Sequence, residues 1–562
     1  MTHARKRLTR FRLNSAIGLL AAGLLLESGV DVDRAVSAFA TDSGQLACGY
    51  EHLRQQAVAA GTAQGWMMAG DCAVTLGDPA TALEAYLYAH TIGGMNADET
   101  IYVLRSIGFQ AEAAGDLNRS RWAWVEAAGL SQSPGDRLRA ARALRLAGET
   151  GAARARLAAL DETGFQGSEL ALLYEERARV ISAEQPREAA MWMDRAIAIE
   201  PAAFRHFDKG LWLQAAGDDA GALTALEAAY AADPLSRDIA LANAYAYRRA
   251  GRHEDAALIF ADVAGREQLN LGVREEEGYA RAAAGQRSAA AAAFRDAIDR
   301  HAAAGTGDDD PVRLYRLRRE VETLERTTYF TGYLTWRDDA AFSGFTLPEQ
   351  GSFESQIGAE AGWRPEGLYR AGRGVTLYGR AYQSLDAGSL SLADDTLQLG
   401  LGARWKPFAG HDFNLAAERL IAGGDLARDA WLLRASYGWT QGGDWNPVAD
   451  RWVYTSLYGD LAWIPDDPQF TSAYASVRHG LRFRTGEGWA VTPYVTAVGQ
   501  ISDDSLATRE RLEAGAGVMV SRWFGEDQYR AYRHRVDFEL EYRAGMGDTP
   551  GHSVIGRVVV NF

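Results

Sequence analysis

The chain has 562 residues, with 74 acidic against 59 basic side chains and a formal net charge of -15. That balance excludes a nucleic-acid binder, because a phosphate backbone needs a basic footprint. The length implies more than one domain. The composition changes near residue 326 from Ala, Leu, Glu and Arg to Gly, Trp, Tyr, Phe and Thr, a switch from helix formers to strand formers.

Arg5, Lys6, Arg7, Arg10 and Arg12 precede an apolar run over residues 16–26, and Ala38-Phe39-Ala40 stands before Thr41. This reads as a secretory signal over 1–40, too short to span a membrane as a mature helix. A degenerate helical hairpin over residues 17–40 is the other reading. Cys48 and Cys72 are the only cysteines, and no Cys-x-x-Cys pair or His-Cys cluster suggests a metal centre. In an exported chain the two can form a disulfide. Two small buried thiols in packed helices fit equally well.

Residues 41–300 read as a helical repeat array. Gly217, Gly251 and Gly285 recur every 34 residues, as do Ala222, Ala256 and Ala290, with Leu226, Phe260 and Phe294 four positions later. That is the period of the tetratricopeptide repeat. Gly ends a helix where the chain must turn, a small Ala lets helices approach, and the larger residue fills the gap between hairpins. Looser copies carry Trp66, Gly70, Ala82, Tyr86 and Ala89, then Gly108, Gly115, Trp124 and Ala127, then Ala189, Met193, Ala196 and Pro201. About seven units are expected, the third being degenerate around residues 138–160. Such arrays dock partners and rarely do chemistry. The run Glu275-Glu276-Glu277 reads as a solvated face. Residues 301–326 read as a Gly/Asp-rich linker and a charged helix opened by Pro311.

From 327 to 562 the pattern has period two, with polar turns between segments. Leu397, Leu399, Leu401, Ala403 and Trp405 alternate with Gln398, Gly400, Gly402, Arg404 and Lys406; Val536, Phe538, Leu540 and Tyr542 alternate with Arg535, Asp537, Glu539, Glu541 and Arg543. About twelve such segments predict an antiparallel transmembrane β-barrel with a lipid-facing apolar row and a wet lumen. A soluble sandwich explains a half-exposed strand but not so many strands with one charged face. Trp363, Trp405, Trp439 and Trp463 at segment ends suit interfacial girdles. The fold class is therefore α + β in two parts, an all-α repeat solenoid followed by a barrel. The expected lumen lining is Tyr378, Arg380, Tyr382, Arg404, Lys406, Arg434, Tyr454, Tyr458, Asp460, Arg478, Arg482, Arg484, Tyr494, Glu513, Asp537, Glu539 and Glu541. Mixed charge with tyrosines suits passage of a polar polymer. A salt-bridged filling of a narrow barrel accounts for the same residues.

No catalytic pattern stands out. His411, His479, His534 and His552 are scattered, and no G-x-S-x-G surrounds a barrel serine. Neither an enzyme nor a cofactor is expected.

The stretch Phe413-Asn-Leu-Ala-Ala-Glu-Arg-Leu420, the stretch Gly423-Gly-Asp-Leu-Ala-Arg-Asp-Ala-Trp431-Leu-Leu-Arg-Ala-Ser436, the span 445–464 and the terminal Phe562 resemble the outer-membrane bacteriophage adsorption protein A (NfrA) family. The resemblance covers the last third to two-fifths of the chain, and the repeats in style only. It implies a phage receptor that pairs with an inner-membrane glycosyltransferase and helps to export a surface polysaccharide. Tetratricopeptide repeats before a barrel are also the plan of the exporters of cellulose, poly-N-acetylglucosamine and Pel. The family has no catalytic motif to transfer. The expected function is thus an outer-membrane protein with repeats in the periplasm that dock a protein partner, and a barrel that passes polysaccharide. The alternative is a phage receptor or scaffold whose closed barrel only anchors the array in outer-membrane lipid.

Overall fold

The computed structural model describes residues 48–266, 271–305, 310–339, 355–370, 372–386, 389–466, 469–503, 508–547 and 551–562. The expected leader at 1–40 lies outside them. Sixteen α-helices come first among the described residues. They are α1 (Tyr50–Ala60), α2 (Ala63–Thr75), α3 (Pro79–Ile92), α4 (Ala97–Ala113), α5 (Leu117–Ser131), α6 (Pro134–Leu146), α7 (Thr150–Ala158) and α8 (Gly167–Ile181). Then follow α9 (Pro186–Ile199), α10 (Ala203–Ala215), α11 (Asp219–Ala232), α12 (Arg237–Arg249), α13 (His253–Arg266), α14 (Leu271–Ala283), α15 (Arg287–Ala303) and α16 (Pro311–Glu325). Contacts divide the chain into two compact units, one ending at Ile239 and one comprising Ala240–Phe562.

In the first unit the helices pair as hairpins, α2 with α3, α4 with α5, α8 with α9 and α10 with α11. Gly217 adopts φ +77° at the end of α10, a left-handed turn that a Cβ would strain. The hairpins close on small residues. A Cβ at Gly108 would lie 2.5 Å from the Trp124 ring of the next helix. The degenerate third unit is α6–α7, where α7 has only nine residues and a 3-10 turn, Glu162–Gly164, follows.

Neighbouring hairpins are stapled by arginine–carboxylate pairs about one repeat apart. Arg105 meets Asp136 at 2.7 Å, Arg145 meets Glu176 at 2.6 Å, and Arg205 meets Glu175 at 3.0 Å. In each pair the carboxylate is buried. Cys48 and Cys72 are joined by a disulfide that ties the start of α1 to α2. Asp71, also on α2, accepts from both Tyr86 and Tyr102 hydroxyls at 2.5 Å on the same oxygen.

The second unit begins on α12 and contains the last helices and a closed antiparallel barrel. Its strands are β1 (Thr328–Arg337), β2 (Gln356–Trp363), β3 (Tyr369–Arg370), β4 (Arg373–Ser384), β5 (Gln398–Lys406), β6 (Asp412–Ala422) and β7 (Ala430–Gln441). The rest are β8 (Arg451–Ile464), β9 (Phe470–Gly486), β10 (Trp489–Asp503), β11 (Thr508–Phe524), β12 (His534–Gly545) and β13 (His552–Asn561). β3 is a two-residue ribbon on β4, and β2 pairs with β4 directly, so twelve strands form the wall. β1 pairs with β13 from Thr331↔Asn561 to Arg337↔Ile555, which closes the sheet.

Two predictions follow from the repeat packing. Gly108→Leu should destabilise the helical signal by about 1–3 kcal/mol or more, the usual cost of overpacking, checked by urea denaturation of the full chain followed by circular dichroism. Burial raises the Asp71 pKa, against the opposing pull of the two tyrosine hydroxyls. A raised carboxyl pKa means the charged form is disfavoured when folded, so this group's penalty is present at neutral pH and fades as pH falls through the folded pKa. The stability of wild type minus that of Asp71→Asn should therefore rise on acidification; a difference that falls or stays flat contradicts the assignment.

Candidate functional site: the barrel lumen and its helix-bearing mouth

Period two sorts every wall residue in or out. The outward row is apolar and exposed: Leu401, Leu433, Leu461, Val495, Phe538 and Leu540 are each at least 40 % exposed. Aromatic residues stand at both ends of that row. Trp363, Trp405, Trp439, Trp489 and Phe562 mark the end where the chain enters from α16; Trp431, Trp463 and Tyr542 mark the far end.

The inward row holds the sequence-derived set. Tyr378, Arg380, Tyr382, Arg434, Tyr454, Asp460, Arg482, Tyr494, Glu513, Asp537 and Glu541 are buried, whereas Tyr458, Arg404, Lys406, Arg478, Arg484 and Glu539 are partly buried. The structure brings them together as a network of ion pairs. One chain of contacts runs around the wall from Arg337 to Glu513 at 2.6 Å, on to Arg543 and Glu541, to Arg478 at 3.1 Å, to Glu539 at 3.2 Å, and to Arg557 at 3.0 Å. Separately, Arg434 forks onto Asp460, and Arg404 bonds both oxygens of Glu360. Arg380 meets Glu418 at 2.7 Å, with Tyr378 donating to the same carboxylate at 2.9 Å. Lys406 reaches only Asp412, at the more exposed rim.

Sequence reasoning does not single out Arg337, Glu418, Arg557 or Tyr329. Glu418 and Arg557 lie in phase with inward neighbours, so the alternation itself could have found them. Arg337 ends its strand beside residues without strand patterning, which hides its direction. A further signal was available. Tyr329, Tyr333, Tyr378 and Tyr494 each stand across the register from a glycine, at Gly362, Gly358, Gly402 and Gly517. A Cβ on any of these glycines would fall within 3.0 Å of the tyrosine ring. The rings thus lie flat on the wall over bare backbone, an arrangement known to rescue strand glycines.

Apolar residues also enter the lumen. Leu420, Ala430, Leu432, Ala462, Ile464 and Phe470 form one buried cluster at the far end. At the entry end the residues between β7 and β8 fold inward, and Trp445 packs against Trp452, Trp523 and Tyr532. α16 crosses there. Its Arg319 pairs with Asp444 at 2.6 Å and donates to the Tyr532 carbonyl at 3.0 Å. Arg318 donates to the Gln528 carbonyl, and Glu325 receives Arg530. α15 joins through Asp299, which accepts from Gln528 and Tyr529. Between α16 and the ion-paired lumen lies a cavity of about 740 Å³, whose lining includes Arg319, Glu322, Arg478, Asp537, Glu539 and Arg557.

Residues 389–552 match the family model described as Bacteriophage N adsorption protein A C-term. The matched span begins before β5 and ends at the start of β13. The curated Bacteriophage adsorption protein A of Escherichia coli (strain K12) is 24 % identical, over 83 % of this chain and 48 % of its own length. The chain therefore spans about half the length of the curated relative it matches. Similar solved structures include a chain of the APC/C hetero-tetramer Cut9-Hcn1, at 14 % identity, 41 % of this chain, 46 % of that chain and TM-score 0.33. A tetratricopeptide repeat protein from Parabacteroides merdae matches at 12 % identity, 39 % of this chain, 92 % of that chain and TM-score 0.28. The repeat assignment here rests on the phased glycines and the helical hairpins themselves.

Of the scattered histidines, His479 meets Thr455, His534 packs on Phe524 and Phe562, and His552 packs on Tyr542. Among the described residues no cluster of three or more His, Cys, Asp or Glu is placed to hold a metal ion.

The lumen network yields a double-mutant prediction. Glu418→Ala should destabilise the barrel by about 3–5 kcal/mol, because it strands the buried Arg380. Replacing both, Arg380→Met with Glu418→Leu, should restore most of that loss. Loss of the heat-resistant folded band on unheated gels, measured against temperature, distinguishes the three.

Proposed function

We propose that this chain is an outer-membrane protein whose ion-paired barrel anchors a periplasmic repeat array, with the far-end loops forming an adsorption surface for phage. The observation that carries this reading is the two-faced wall. An apolar outward row bounded by aromatic residues fits a lipid bilayer, and closure leaves no strand edge unpaired within it. The matched relative's name supplies the adsorption role, and the array supplies a docking surface for a protein partner. Because most of the lumen charges pair with one another, the barrel works as an anchor without a cargo.

Passage of a surface polysaccharide, handed on by an inner-membrane glycosyltransferase, is the second reading. It is favoured by the large cavity under α16, where arginines, carboxylates and Tyr454 face open space. It requires the inward loop at the entry end to move aside.

Expressed with its leader, the protein should fractionate with the outer membrane. Its repeats should resist protease on intact cells and be cleaved once the outer membrane is opened. In planar bilayers the purified chain should be silent, and cells lacking it should lose phage adsorption while secreting unchanged polysaccharide. A conducting barrel, together with lost polysaccharide secretion, would instead establish the passage reading.

A further inference from the structure

The entry-end loop, residues 442–450, rests on Arg482, Arg484 and Arg535, of which only Arg535 pairs with a carboxylate among the described residues. Arg482 is fully buried. Its guanidinium donates to the Gly442 carbonyl at 3.1 Å, the Gly443 carbonyl at 3.0 Å and the Thr492 hydroxyl at 2.9 Å. It lies over the Tyr454 ring at 4.7 Å and the Trp523 ring at 5.0 Å. Arg484 donates to the Asn446 carbonyl at 2.5 Å, stacks over Trp445 at 4.9 Å, and keeps a buried Nε with no acceptor. Arg535 donates to Gly443 at 3.0 Å while it holds Asp537 at 2.8 Å. Arg535 acts on Arg482 as a like charge; Asp537 and Asp444 act on it only from beyond ion-pairing distance.

Burying an arginine without a counter-charge is costly unless strong acceptors replace it. Here the acceptors are backbone carbonyls of a loop, which carry partial rather than full negative charge. The arrangement is that of an oxyanion site whose occupant is the chain's own backbone. The loop is in turn fastened from outside. Its Asp444 takes Arg319 at 2.6 Å and Tyr315 at 3.1 Å, both from α16. Arg319 likewise keeps a buried Nε without an acceptor. The wall thus has a surplus of donors on both sides of the loop.

We propose that residues 442–450 form a displaceable stopper over an anion-binding site built from Arg482, Arg484 and Arg535, latched shut where the loop's Asp444 binds Arg319 and Tyr315 of α16. When α16 shifts, the loop carbonyls leave and the three guanidiniums take an oxyanion of the carboxylate or phosphate class, bound as bidentate forks. The inference requires the barrel and its mouth only, and stands apart from whether a polymer passes through.

Ser456 faces the cavity beneath α16, and both native cysteines are held in the disulfide, so Ser456→Cys reports on access in the full chain. Two thiosulfonate reagents of similar size serve as probes, one bearing a sulfonate and one a trimethylammonium group. With the latch intact both should react slowly. Asp444→Ala and Arg319→Ala, introduced separately, should each speed both reagents by about tenfold, as expected when a minor open state becomes dominant. In the opened protein the anionic reagent should lead by about tenfold, the focusing expected of a cationic pocket. Adding Arg482→Gln with Arg484→Gln should abolish that lead. The two latch variants change charge in opposite senses. If each moves only the ratio of the two reagents, in opposite directions, electrostatics alone is at work and the latch is wrong. Unchanged rates in a variant that still gives the heat-resistant folded band overturn the stopper. A lead that survives loss of both arginines overturns the anion site.

Discussion

Closure of the sheet at β1 and β13 is the constraint on which the barrel depends. Phe330 and Phe562 exchange backbone hydrogen bonds at 3.1 and 2.8 Å, at the last residue of the chain. Without that seam two strands would present a row of unpaired backbone groups, a template for pairing with another chain. Once the wall closes, alternation leaves each side chain a choice of two environments. Everything polar on the wall must then be satisfied inside.

The inner face meets that demand in two ways. Carboxylates and guanidiniums bond one another, from Arg404 with Glu360 near the entry end to Arg337 with Glu513 near the far end, and tyrosines lie over glycines so that their rings occupy little depth. Toward the entry end, arginines outrun the carboxylates, and the balance is made with carbonyls from a loop. That difference ties the helical part of this unit to the lumen: Asp444 is bonded by α16 on one side, while its neighbours Gly442 and Gly443 are bonded by Arg482 on the other. A side chain on α16 is thus two bonds away from a cation buried in the wall.

Much of this was legible in the residues. The phased Gly217, Gly251 and Gly285 declare left-handed helix ends, and all three have positive φ. The strand alternation was equally plain, because a period of two admits a single reading when one face is charged, as at Val536–Tyr542. The third repeat read as degenerate because α7 is short. Partners were harder. Nothing in the alternation tells Arg380 to choose Glu418 on β6, since the two are separated by 38 residues and by an intervening strand. Gly442-Gly443-Asp444 has the composition of an ordinary polar turn, and the sequence of a turn does not state which side of the wall it folds toward. Phase alone turns Arg482 and Arg484 inward, but nothing in the alternation shows that they bond to backbone carbonyls and not to acids.

The seam also sets a timetable. Contacts between helical neighbours link residues roughly thirty positions apart, and hairpin strands link residues closer still, so both can form while most of the chain is unstructured. Thr331 and Asn561 are 230 positions apart. Loop closure over that distance carries its entropy cost before any contact rewards it. The first strand must therefore wait, with one edge bare, until the last has been made and placed. During that interval the free edge of β1 is a template on which another strand can pair, and it stays so until β13 arrives.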